Sequence, residues 1–132
     1  MIGPGSKSLL FAIQMAIPGD LLLPVPSWVS YAPQAALLGQ RVVPVPTRLD
    51  DAGYHVDPAA LSEAIAGARR EGRRPSKLLV NFPNNPAGMT LDERAIEAIA
   101  EVCRREDIVL ISDEIYGRTS YDQRYRSAGP AY

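Results

Sequence analysis

Apolar runs of strand length alternate with helical patterns along nearly the whole chain, and that alternation leaves few folds open. KLLVNF at 77–82 is followed by the amphipathic TLDERAIEAIAEVCRRED and then by IVLIS at 108–112. Two buried strands joined by one helix form a right-handed crossover, which makes the strands parallel. LLLPVP and RVVPVP are two earlier strands, and SKSLLFAIQMAI, WVSYAPQAALLGQ and DPAALSEAIAGARREG are helical. Leu10, Ile13 and Ile17 share one stripe of the first helix, and Gly39 and Gly72 close the second and third. Asp57 is placed as an N-cap with Pro58 at the first helical position, and Thr90 with Glu93 reads as a capping box. TRLDDAGYHV, residues 47–56, reads as a polar loop, and residues 123–132 show no clear periodicity. Together these elements predict an α/β fold: a three-layer α/β/α arrangement around a mostly parallel sheet.

Length and composition exclude several classes. A chain of 132 residues is enough for about one domain. A net charge of −1 argues against nucleic acid or an acidic membrane surface as partner. No apolar run reaches membrane-spanning length and no basic segment precedes a signal-like apolar region, so a cytoplasmic protein is expected. The single cysteine, Cys103, falls in a helical pattern and reads as a small core residue. The one histidine, His55, has no companion ligands for a metal and reads as surface.

Ligands of open α/β sheets bind beyond the carboxyl ends of the strands. Several features fall there. GPGSKS at 3–8 opens the first helix, where unpaired N–H groups and the helix dipole favour an anion; Ser6 adds a hydroxyl and Lys7 a charge. The alternative is plain N-capping by Ser6, and the spacing is not that of a Walker loop. Trp28 follows the strand at 21–24 and is either a platform for a flat heteroaromatic ring or a corner tryptophan. Asp113 stands at the mouth of a buried strand, where a carboxylate is costly unless paired. A protonated ring nitrogen is one partner for it; nearby backbone is the other. Tyr116 lies one helical turn further on, whereas Glu114 is expected to point elsewhere. Asn85, biased to extended geometry by Pro86, offers an amide to a ligand oxygen or simply serves the turn.

GPGSKSLLFA, PGDLLLPVPSWVSY, NFPNNPAG and ISDEIYG, in that order and spacing, make the chain resemble the class I/II aminotransferases of the pyridoxal-phosphate fold type I superfamily. The match runs from about residue 3 to 122, and NNPAG departs from the family's Asn-Pro-Thr-Gly by carrying Ala87. The resemblance implies pyridoxal 5′-phosphate as cofactor. It implies that Asp113 pairs with the ring nitrogen, that Asn85 and Tyr116 bond the phenolic oxygen, that Trp28 stacks on the ring, and that Ser6 and Lys7 help hold the phosphate. Asn84, Pro86 and Gly88 then shape the loop around Asn85.

The family also implies a Schiff-base lysine beyond the Asp-x-x-Tyr motif, a small domain with a carboxylate-binding arginine, and homodimerisation. The two lysines here, Lys7 and Lys77, match neither the position nor the role. Residues 1–132 are therefore expected to form part of the large, cofactor-binding domain, unable to transaminate alone, with no catalytic residue of their own. The full enzyme would pass an amino group between an amino acid and a 2-oxo acid. The alternatives are a fold type I lyase or decarboxylase, or a non-catalytic module that binds the cofactor or pairs with a full-length relative. A nucleotide-binding domain is disfavoured by the absence of Gly-x-Gly-x-x-Gly.

Overall fold

The computed structural model describes residues 2–50, 53–88, 90–119 and 126–131. Helix α1 (Ser6–Ala16) leads into strand β1 (Asp20–Val25), then α2 (Tyr31–Leu37), β2 (Val42–Asp50), β3 (Gly53–Val56), α3 (Pro58–Arg70), β4 (Pro75–Asn81), α4 (Glu93–Arg105) and β5 (Val109–Asp113). The five strands form one sheet in the order β3-β2-β1-β4-β5. The β1–β2, β1–β4 and β4–β5 pairs are parallel; β2–β3 is antiparallel.

Apolar side chains alternate across the sheet and split the core in two. Leu21, Leu23, Leu79 and Ile111 face α1 and α2, packing with Leu10, Tyr31 and Ala35. Leu22, Val43, Val45, Leu78 and Val80 face α3 and α4, packing with Leu61, Ile65, Ile96, Ile99 and Cys103. Strand residues of alternating direction thus produce the three layers. Cys103 is fully buried, and burial pushes its thiol up to about 12. Among the described residues, no helix is long and apolar enough to cross a membrane.

Three sequence expectations need correction. Residues 47–56 do not form a loop: β2 runs through to Asp50 and pairs with β3, Thr47 opposite Val56 and Arg48 opposite His55. An edge hairpin is held by backbone bonds and faces water, so its polar side chains masked it. His55 accordingly sits half-buried on a strand. Thr90 does not cap α4. Asp92 does, accepting from the Ala95 N–H at 2.8 Å, because the helix begins only at Glu93. The second helix starts at Tyr31, leaving Trp28 to Ser30 as the turn that feeds it. Of the stretch 123–132, residues 126–131 contain a short turn of 3-10 helix at Gly129–Ala131; 123–125 and 132 lie outside the described residues.

At the amino-terminal edge of the sheet, charges are paired within the chain. Asp20 accepts from the backbone N–H groups of Arg41 (3.0 Å) and Arg74 (3.2 Å) and from Arg73 Nε (3.4 Å). Burial pulls its carboxyl upward, but these two N–H groups and the Arg41 and Arg73 charges outweigh that and leave it below the ordinary carboxylate value. Lys77 is fully buried, its Nζ donating to the carbonyls of Ile17 (2.8 Å) and Gly19 (2.7 Å). Burial pushes this amine down to about 8 against the pull of Asp20. Gly19 itself, at φ 110, is required: a Cβ there would lie 2.6 Å from Ser76 Oγ.

Candidate functional site

The chain order reverses between β1 and β4: β2 follows on one side of β1 and β4 is laid on the other. Such a switch point leaves a crevice at the carboxyl ends of the strands. Here the crevice is widened. The β1–β4 ladder covers only Asp20–Leu22, whereas β1–β2 continues to Val25. Pro24 has no N–H to offer a second neighbour, which is consistent with the parting of β1 from β4. Helix α1 precedes β1 and runs against it, so the start of α1 arrives at the same edge.

Asp113 ends β5, with 6% of its surface exposed. Its Oδ2 accepts from Tyr31 Oη at 2.9 Å and its Oδ1 from the Ile115 N–H at 3.2 Å. Among the described residues no cation pairs with it. Both donors are neutral, so the carboxylate is solvated by the fold while its charge is left uncancelled.

The loop after β4 is built by asparagines. Asn81 Nδ2 donates to the Asp113 carbonyl at 2.8 Å, and Asn81 Oδ1 accepts from the Asn85 N–H at 2.9 Å. Asn84 Oδ1 accepts from the Ala87 N–H at 3.0 Å, and Gly88 closes the turn at φ 71 with its N–H on the Asn84 carbonyl. That arrangement turns Asn85 outward, where its Nδ2 donates to Tyr116 Oη at 3.2 Å. Asn85 and Tyr116 thus meet at one place beside Asp113. Glu114 is occupied elsewhere, accepting from Ser112 Oγ, Ser127 Oγ and the Ala128 N–H.

Trp28 is half-buried and meets Tyr31 edge to face, with ring centroids 5.4 Å apart at 76°. Lys7 Nζ lies 4.9 Å from the Trp28 ring centroid, a cation–π approach that joins the start of α1 to the corner after β1. Ser6 is the first residue of α1, after Gly5 at φ 140, and no side chain caps the helix start. N-capping by Ser6, the plain alternative, is therefore not realised. The Lys7 carbonyl accepts from Gln34 Nε2 at 3.0 Å, and Gln14 Nε2 donates to Gln34 Oε1 at 3.0 Å, so two buried glutamines pin α1 to α2.

All six candidate residues therefore lie at one edge, and contacts tie five of them into two groups: Lys7–Trp28–Tyr31–Asp113, and Asn85–Tyr116, with Asn81 linking the two. Ser6 joins only as the chain neighbour of Lys7. Two members, Tyr31 and Asn81, escape a sequence reading. Tyr31 looks like a core aromatic on a helix, and Asn81 looks like the frayed end of an apolar strand. The only signal was a polar residue, Asn81, interrupting the apolar run of KLLVNF just before its end. No cluster of metal-ligating residues occurs among the described residues.

Residues 1–130 match the family model for aminotransferase class I and II. A probable aspartate/prephenate aminotransferase of Thermus aquaticus is 38% identical over 128 residues, covering 95% of this chain and 32% of that protein. An aspartate aminotransferase of Bacillus subtilis is 32% identical over 120 residues, covering 89% and 29%. The structure of Thermus thermophilus aspartate aminotransferase with maleate superposes with a TM-score of 0.84 at 35% identity, over 96% of this chain and 32% of that one. The chain thus spans about a third of the length of these relatives. With its sheet, its strand-end residues and these likenesses in agreement, the chain belongs to the class I and II aminotransferase family.

Proposed function

We propose that these residues form the pyridoxal-phosphate-holding part of an aminotransferase, which passes an amino group between an amino acid and a 2-oxo acid. The observation that carries this is Asp113: a buried carboxylate at a strand end, solvated by two neutral donors, with no cation on it among the described residues. A site built this way fits a ligand that brings its own positive charge, as a protonated pyridine nitrogen does.

The donor set suits the rest of the cofactor. Asn85 and Tyr116 place an amide N–H and a phenol together, ready to turn toward a phenolic oxygen. Trp28 offers an aromatic face at the same edge. The first turn of α1 offers uncapped N–H groups, the Ser6 hydroxyl and the Lys7 charge to a phosphate. When bound, the protonated ring supplies an electron sink for charge developing at the substrate's α carbon. Asp113 would hold the proton on the ring nitrogen, Asn85 and Tyr116 would donate to the phenolic oxygen, and Trp28 would keep water from one face. Lys77 is not the proton-moving lysine of this reading, because its amine is bound to the Ile17 and Gly19 carbonyls at the opposite edge. That lysine, the arginine for the substrate carboxylate and the homodimer contacts belong to the remaining length typical of the family, and residues 1–132 to its large domain.

Trp28 is the sole tryptophan, so its emission reports on the site. Titration with pyridoxal phosphate should quench it saturably. The full-length protein should then move a nitrogen-15 label from an amino acid to a 2-oxo acid. Linear, unsaturable quenching would sink the cofactor reading; binding without label transfer would sink the aminotransferase reading alone.

A further inference from the structure

Resting on the cofactor reading above, we propose that Tyr31 is a positioning residue: its hydroxyl fixes the Asp113 carboxylate toward the crevice and thereby makes the site select a cationic ring over a neutral one. Tyr31 opens α2 with 2% of its surface exposed. Its ring is set by the edge-to-face contact with Trp28 and by Leu10, Leu21, Leu23 and Ala35 around it. Its one O–H has one acceptor, Asp113 Oδ2, at 2.9 Å. The Ile115 N–H takes the other oxygen, so the carboxylate cannot rotate without losing a bond on each side.

The chemistry of the donor matters. An arginine or lysine in this place would cancel the carboxylate's charge before a ligand arrived. A histidine would change its own charge near neutral pH. A phenol does neither. Burial, then the bond to Asp113 and its charge, raise the Tyr31 phenol far above its ordinary value, so it remains a neutral donor throughout the working range. Asp113 is left without a countercharge among the described residues and with a fixed direction. The packing around Tyr31 also joins Trp28 to the same side chain, so the platform for the ring and the partner of its nitrogen share one support.

The test compares two ligands by equilibrium dialysis on the full-length protein: pyridoxal phosphate, and its analogue with carbon in place of the ring nitrogen. Tyr31→Phe keeps the ring and removes only the O–H. It should weaken pyridoxal phosphate about tenfold, the usual effect of a hydrogen bond to a charged group, and leave the analogue unchanged. In an Asp113→Asn background, Tyr31→Phe should add nothing to the loss, since the two residues act as one unit. Equal weakening of both ligands, or full additivity in the double variant, would overturn the role of Tyr31 while leaving the cofactor reading in place. No binding of pyridoxal phosphate to the unmodified protein would overturn both. Should Tyr31→Phe lose its cooperative thermal transition, 4-aminophenylalanine in place of Tyr31, which keeps the ring and a neutral N–H donor at the same position, reads the same ratio: preserved selectivity supports the role and lost selectivity overturns it.

Discussion

The two edges of the sheet treat buried charge in opposite ways. At the amino-terminal edge Asp20 is bonded by two backbone N–H groups and a guanidinium, and the Lys77 amine by two carbonyls. At the carboxyl-terminal edge Asp113 has a phenol and one N–H. One edge closes its electrostatics internally; the other is solvated yet still charged. Stability should therefore depend most on the edge where pairing is complete, and ligand affinity on the edge where it is left open.

Four experiments would sharpen or break that contrast. The largest effect is expected from Asp20→Ala, which strands Arg73 and two backbone N–H groups. Urea unfolding should show a loss of about 3 kcal/mol, with affinity for pyridoxal phosphate unchanged in the folded protein. Asp113→Asn should do the reverse. It keeps an acceptor for Tyr31 but turns its NH2 toward the Ile115 N–H, so stability should fall by only about 1 kcal/mol, while affinity for pyridoxal phosphate falls about a hundredfold. If the two variants lose stability equally, the contrast is broken.

A smaller effect follows from pH. Between about 8 and the ordinary 10.5, the unfolded chain keeps a proton on Lys77 that the folded chain has released, so stability rises with pH. Above 9 Cys103 opposes this, because its buried thiol, raised to about 12, stays protonated when the unfolded thiol does not. The net expectation is a rise of about 1 kcal/mol between pH 8 and pH 9, visible in unfolding curves and absent in Lys77→Met. The smallest effect is expected from Tyr116→Phe. Its hydroxyl meets Asn85 at a site open to water, with Tyr116 36% exposed. Stability should stay within about 0.5 kcal/mol, and affinity should fall only about threefold.

The helices and parallel strands were legible because apolar periodicity reports burial, and in a sheet covered on both faces burial is nearly everything. Asp57 was legible as a cap because Pro58 fixes where its helix starts, and its carboxylate accepts from the Ala59 N–H. The start of α4 was not, since Thr90 and Asp92 both fit the local rule and only the backbone path decides between them. The β2–β3 hairpin was hidden because edge pairing is a backbone property that side-chain polarity does not record. At the site, side chains that end strands announced themselves as polar residues after apolar runs. Tyr31 did not, because what distinguishes it from a core aromatic is a partner far along the chain.

That distance has a consequence for how the protein is made. Tyr31 and Asp113 are separated by 82 positions, and β5 follows the other four described strands in the chain. A ribosome delivers α1, β1 and α2 long before the carboxylate they will hold. Contacts of such long span form late, after the entropy of closing the intervening chain has been overcome. Until β5 docks, the nascent chain exposes an unpaired β4 edge and a tyrosine with no acceptor. The pairing of Tyr31 with Asp113 therefore waits for β5 to join β4.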